Sequence, residues 1–305
     1  MAERKSIRDC IAANKRKSVF FVALLAILLT AFCLALSALF PPEEQGFIIF
    51  LSLVFVAVYI LFGYFKGSAA VMALSGAREA DPKVEKQLYN VVEEMTIAGG
   101  LPMPKVYIME EAAPNAFATG RNPKDSAVAV TRGLLQKLNR DELQGVIAHE
   151  LSHIRHYDIL FSTLVCVLVG AVAMIARFAW RFMLFGGSRR SSSRKAGQGQ
   201  ALILVLCLAL MIFAPILSTI VQLAISRERE YLADAGAVSL TRNPEGLARA
   251  LEKIAGDPGE VKGASGATRA LYIAEPFKKS FFSADSLFST HPPIAKRVAR
   301  LRAMS

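Results

Sequence analysis

Five consecutive residues of this chain could do chemistry together: His149-Glu150-Leu151-Ser152-His153. A helix turns every 3.6 residues, so two histidines four apart stack one turn from each other and can point at one ion. The glutamate after the first histidine can stand beside that ion without binding it. This is the H-E-x-x-H pattern of two zinc ligands and a general base for attack of water on a carbonyl.

A zinc hydrolase site usually has three protein ligands and keeps its fourth position for water. His156 shares the face of the motif, but at about 1.5 Å per residue it stands about 10 Å along the axis from His149. Bonds of about 2 Å cannot close that gap. His156 is therefore expected to support the site or lie on the surface, and the third ligand must come from elsewhere. By chemistry the candidates are Glu228, Glu230, Asp234 and His291. Glu230 with Asp234 one turn on suits a ligand and a carboxylate that steadies an imidazole N–H.

The motif needs a helix to hold it. Asn139 before Arg140-Asp141-Glu142 predicts an N-cap with a glutamate at the third helical position. Leu143, Ile147, Leu151 and Ile154 then form an apolar stripe, with His149 and His153 on a roughly opposite face. Upstream, Asp81-Pro82 predicts a helix ending near Gly99-Gly100. Strands are predicted at Lys105 to Met109, at Asn115 to Thr119 as a short edge strand, and at Ser126 to Val130. A short helix over Arg132 to Leu138 leads into the motif. Downstream, the stretch from Ser226 continues helically past Asp234. Pro244 starts a helix to about Ile254, and His291-Pro292-Pro293 precedes a last basic helix through Arg302.

The rest of the chain places this unit at a membrane. Of 305 residues, 53% are hydrophobic, mean hydropathy is +0.39, and the excess lies in blocks. After a basic tail (residues 1–18), Val19 to Phe40 and Phe47 to Phe65 are two uncharged runs long enough to span a bilayer. The first exceeds the roughly 7–15 apolar residues of a cleaved signal peptide, so it reads as an anchor. The acidic turn Pro41 to Gln45 between them puts the basic tail, and whatever follows Lys66, in the cytoplasm. Two further apolar blocks, 159–185 and 201–225, flank a Gly/Ser-rich basic loop at 186–200. If they cross, the basic loop lands outside, against the charge rule; otherwise they dip in and return. Either way the number of crossings is even, and the chain after Ile225 lies on the side of His149. The parts are thus tail (1–18), transmembrane hairpin (19–65), first catalytic part (66–158), hydrophobic hairpin with basic loop (159–225) and second catalytic part (226–305).

The net charge of +11 is blocky and sits mostly in the tail and the loop, with no aromatic residues between the cations, which argues for cytoplasmic flanks of membrane segments over a nucleic-acid surface. Cys10, Cys33, Cys166 and Cys207 form no C-x-x-C pair, which excludes a disulfide framework and a thiolate zinc site.

Together with the H-E-x-x-H core, several spaced motifs make the chain resemble the HtpX-type membrane metalloproteases, gluzincin relatives of the CAAX prenyl proteases. These are Asn115-Ala116-Phe117-Ala118-Thr119-Gly120, Asn139 to Leu143, Ser226-Arg227-x-x-Glu230-x-x-Ala233-Asp234, and Ser289-Thr290-His291-Pro292-Pro293 followed by Arg297. The resemblance runs from about residue 19 to the C-terminus. It implies an α+β, mainly helical gluzincin-like domain with a small β-sheet and four hydrophobic membrane segments. It implies one zinc ion per chain on His149, His153 and Glu230, with Glu150 as base and Asp234 behind the ligands. Asn115, Ala116 and Phe117 would hold substrate as an added strand, and His291 would approach the site and stabilise the oxyanion. The implied activity is metalloendopeptidase action at the cell membrane from the cytoplasmic side, in quality control of misfolded membrane proteins, with protein or peptide substrates and the lipid bilayer as partners. A zinc-stabilised scaffold without turnover and a CAAX-type processing protease share these residues. An intramembrane protease is disfavoured by Arg140, Asp141, Glu142, Arg155 and Asp158 around the motif.

Overall fold

The computed structural model describes residues 7–37, 41–167, 170, 227–277 and 292–304. Helix α1, Ile7–Ser37, takes in most of the basic tail as well as the first apolar run. Helix α2, Pro42–Leu74, starts at the expected turn, with Glu43 and Glu44 in its first turn, where the positive end of the helix dipole favours them. The acidic turn is thus the start of a helix. α2 also runs nine residues beyond Phe65. Among the described residues, α2 is the helix long and apolar enough to cross a membrane, with little of that stretch buried. The third block appears as α6, Asp158–Val167. Its remainder apart from Gly170, the 186–200 loop and block 201–225 lie outside the described residues.

The C-terminal end of α2 packs into the rest of the fold. Val71 and Met72 are buried there against one face of a four-stranded sheet. The strands are β1 (Arg78–Glu79), β2 (Lys105–Met109), β3 (Ala116–Asn122) and β4 (Asp125–Thr131), in the order β1-β2-β4-β3. β2 and β4 run parallel, and the other two pairs are antiparallel. The two-residue β1 is too short to show any alternation and was not expected. Alternation sorts the remaining strands, since successive side chains point to opposite faces. Phe117, Ala127 and Ala129 join the core under α2. Ala116, Ala118, Val128 and Val130 join the larger core on the other face.

That larger core is built around the motif helix. Helix α3 spans Lys86–Gly99, α4 Arg132–Lys137 and α5 Arg140–Arg155. After them come α7 (Arg227–Thr241), α8 (Pro244–Ala255) and α9 (Ile294–Arg302). α3 begins later than the Asp81-Pro82 signal suggested. The Glu85 carboxylate accepts the Asp81 N–H and is gripped by Arg78 and Arg132, so residues 81–85 form a turn instead. α3 stops at Gly100, whose φ of 60° is the left-handed C-cap glycine favours. α5 has the expected capping box: Asn139 accepts from Glu142 N, and the Glu142 carboxylate accepts from Asn139 N. It is not amphipathic in the expected sense. His149, Glu150 and Ser152 are as buried as the apolar stripe, because α7 covers the face that would otherwise meet water.

Candidate active site

Two helices bring the chemistry together. α5 carries His149, Glu150 and His153; α7 carries Glu230 and Asp234. Their backbones approach closely because α7 has Gly236 at the crossing, where a Cβ would overlap Ser152 Oγ. On its other side α5 meets α8 at Gly145, where a Cβ would lie 2.7 Å from Leu247 N.

Ligand atoms of His149, His153 and Glu230 all lie within 4.8 Å of one another. Nε2 of His149 is 3.2 Å from Nε2 of His153. Glu230 oxygens stand 3.9 Å from the first and 3.6 Å from the second. A tetrahedral ion with bonds of about 2 Å spaces its ligand atoms by about 3.3 Å. Two imidazoles and a carboxylate at this spacing therefore fit zinc in chemistry and in size.

The far side of each ring is anchored. His149 Nδ1 is 3.0 Å from Asp234 Oδ1, and His153 Nδ1 is 3.0 Å from Asp158 Oδ2. Ionised carboxylates only accept, so both Nδ1 atoms donate, and Nε2 is directed to the centre. Asp234 in turn accepts from Arg297 Nη2 at 2.7 Å and Nε at 2.9 Å. Arg297 is fully buried; its Nη1 also donates to Ile273 O at 3.0 Å and lies 3.4 Å from Glu230 Oε2. Asp158 accepts from Asn14 Nδ2 at 2.6 Å and has Arg229 Nη1 at 3.4 Å.

These surroundings pull the titrations apart. Burial lowers His149 to about 4, although Asp234 opposes it. Burial also works against a charged His153, but the Asp158 hydrogen bond and the charge of Glu230 outweigh it and raise His153 to about 9. Burial pushes the Glu150 carboxyl up to about 7; Glu230 adds to the rise, while His153, Arg297 and the Ala118 backbone N–H oppose it. Burial alone would raise Asp234, but Arg297 and His149 hold its carboxyl below the usual range.

Glu150, His153, Glu230 and Ala118 line a cavity of about 20 Å³, room for one water and no more. Asn115, Ala116 and Phe117 are buried and do not line it; Asn115 lines a separate cavity with Ala113 and Ala274. Asn115 Nδ2 donates to Ala274 O, and Phe117 packs edge-on against Tyr272, 5.1 Å between centroids. β3 is an edge strand as expected, but Ile273 N donates to Ala116 O at 2.9 Å, so residues 270–276 already lie along part of that edge. Glu228 is exposed at the start of α7, and His156 is buried at the end of α5 with its carbonyl accepting from Asn14. His291 lies outside the described residues. Asp158, Arg297 and Asn14 were not found as anchors from sequence. Asp158 follows a helix end, Arg297 sits in a basic helix, and Asn14 sits in a basic tail, so no periodicity marks them.

The sequence profile of peptidase family M48 matches residues 82–305, which covers both helices of this site. The chain belongs to peptidase family M48. It is therefore a metalloprotease, and this M48 peptidase has close relatives along its whole length. It is 45% identical over 295 residues to a protein named Protease HtpX homolog from Streptococcus uberis, covering 96% of this chain and 98% of that one. It is also 45% identical over 301 residues to a Protease HtpX homolog from Listeria monocytogenes, with the same two coverages. The crystal structure of S. mikatae Ste24p aligns with 96% of this M48 chain and 66% of its own, at 18% identity and a TM-score of 0.46.

Proposed function

We propose that this M48 peptidase is a zinc-dependent endopeptidase anchored in the cell membrane, with its catalytic domain on the cytoplasmic side. His149, His153 and Glu230 hold the metal, Glu150 is the general base, and Asp234 and Asp158 orient the imidazoles. The observation that carries this reading is the convergence of three ligand atoms from two helices within 4.8 Å, beside a buried carboxyl. Bound zinc supplies a Lewis acid and a water of lowered pKa. Glu150, held near 7, is in the range where a carboxyl can both take a proton from the attacking water and return one to the leaving amine. Arg297 and the Ala118 N–H keep that carboxyl fixed and partly charged.

Substrate backbone adds along β3 near Ala116 and Ala118, and segment 270–276 gives way to admit it. Asn115 shapes that end of the cleft, and His291 serves the oxyanion. The exposed apolar α2 and the contact between α1 and Asp158 support a cleft close to the bilayer surface. A cleft at that level supports membrane proteins as substrates, and the family resemblance adds misfolded ones.

The test is zinc content and casein or self-cleavage, measured on detergent-purified wild type and Glu150→Gln in parallel. About one zinc per chain in both, with cleavage at least about a hundredfold lower in the variant, is the expected result. Equal cleavage by both would remove Glu150 from the mechanism. Zinc without turnover against any substrate would turn the site into a structural one.

A further inference from the structure

A second cavity, of about 1100 Å³, opens between α1, α6 and the β3–β4 turn. Its rim is cationic. Lys15, Arg121 and Lys124 stand there with one carboxylate, Asp125, which Arg121 already engages at 2.9 Å. The inner wall is apolar, with Val19, Val22 and Ala26 of α1 facing Leu160 and Leu164 of α6.

The cavity sits where a bilayer surface would be. The uncharged run of α1 begins at Val19, just past Lys15. Tyr64 and Phe65 end the apolar run of α2, and the Arg121 guanidinium lies over both rings, 5.6 and 5.0 Å from their centroids. Lys15 lies over the ring of Tyr157 at 4.4 Å. Aromatic residues at this level mark a membrane interface. The neighbouring end of α3 and the loop after it present Ile97 and Met103 to the outside, 74% and 43% exposed. From Val19 to Ala26 the apolar α1 wall rises about 10 Å, roughly two-thirds of one leaflet of the roughly 30 Å hydrocarbon core.

We propose that this cavity is a binding site for one anionic phospholipid of the cytoplasmic leaflet, its phosphate among Lys15, Arg121 and Lys124 and an acyl chain along Val19, Val22 and Ala26. Three cations against one carboxylate leave a net positive rim that favours an anion, and the adjoining apolar wall, about 10 Å deep, favours one that carries a chain. The proposal rests on α1 and α2 being inserted in a membrane. It does not depend on the zinc chemistry.

The test uses the full chain in detergent, with phosphatidylglycerol and phosphatidylcholine of the same acyl composition offered in equal amounts. Bound lipid is read by native mass spectrometry. Wild type is expected to retain one phosphatidylglycerol with roughly tenfold preference. The double variant Lys15→Ala, Lys124→Ala loses that preference. Lys83→Ala with Lys86→Ala, which removes the same charge from an exposed stretch elsewhere, keeps it. Ala23→Trp, or Ala26→Leu if the first is unstable, fills the cavity and loses the lipid. Retention of both lipids alike by wild type, no retained lipid, or an unchanged phosphatidylglycerol adduct in both cavity-filling variants would overturn the site. The last result would leave a protein segment as the occupant. Resistance of the chain to alkaline carbonate extraction, and its zinc content, are measured on the same preparation. A failed lipid site is thereby distinguished from a failed membrane or protease reading.

Discussion

Asn14 and Asp158 are 144 residues apart and share a hydrogen bond of 2.6 Å, with both side chains buried. The first belongs to the N-terminal part of α1, and the second anchors His153. The two N–H groups of the Asn14 amide are divided between Asp158 and the His156 carbonyl, so α1 is fastened to the end of the motif helix.

Asn14→Leu removes both donors while keeping the volume. Loss of an outer partner of a ligand typically lowers metal affinity by roughly 10- to 100-fold. Zinc affinity measured by chelator competition is expected to fall within that range, while thermal unfolding of the zinc-loaded form moves little. An unchanged affinity would reduce the α1 contact to packing.

Arg297 holds Asp234 with two nitrogens and reaches Ile273 and Glu230 as well. Arg297→Met leaves Asp234 buried without its cation, which costs about 3–5 kcal/mol. Arg297→Lys keeps the charge but cannot form the fork, so it is expected to restore stability in part and zinc affinity poorly. Urea unfolding and chelator competition on both variants separate the two effects.

The pH dependence of stripped and loaded protein should differ. In the metal-stripped chain His153 is raised to about 9, above its ordinary value of 6.5. A group raised on folding contributes stability that is full below 6.5 and lost as pH rises through 9. Glu150 acts in the same sense, but only between 4.5 and about 7. His149, lowered to about 4, acts in the opposite sense and only below 6.5. Between pH 8 and 9 His153 is the main one of these three still changing, so Tm of the stripped protein is expected to fall there while that of the zinc-loaded protein stays level. Zinc loading at pH 7.5 should release about one proton per chain, read from calorimetry in buffers of different ionisation enthalpy. A flat stripped profile would contradict the His153–Asp158 pairing.

Gly236→Ala places a methyl group against Ser152 at the α5–α7 crossing. Overpacking of this kind costs about 1–3 kcal/mol. Because the two helices carry opposite halves of the ligand set, zinc affinity should fall along with stability. The double variant with Ser152→Gly, which clears the overlapping atoms, is expected to recover both. A stability loss with unchanged affinity would mean that Glu230 follows α5 as the helices part.

The local elements were legible because their signals are local. Asn139 with Glu142 marks the start of α5, Gly100 the end of α3, and short apolar runs bounded by turn residues mark β2 and β4; each depends on neighbours within a few residues. His149, Glu150 and His153 were legible for the same reason, since helix geometry alone aligns them. The resemblance pointed to Glu230 and Asp234, whereas chemistry alone left four candidates for the third ligand. Tertiary structure decided what depends on distant chain meeting distant chain. Asp158 faces His153 because the chain turns at Tyr157, where φ is 60°, and Asn14 reaches Asp158 because α1 returns to the end of α5. Likewise Arg297 is sealed in the core beside Asp234 although its helix reads as a basic surface helix. Burial of a charge is fixed by the partner that compensates it, and sequence spacing carries no record of a partner 63 residues away.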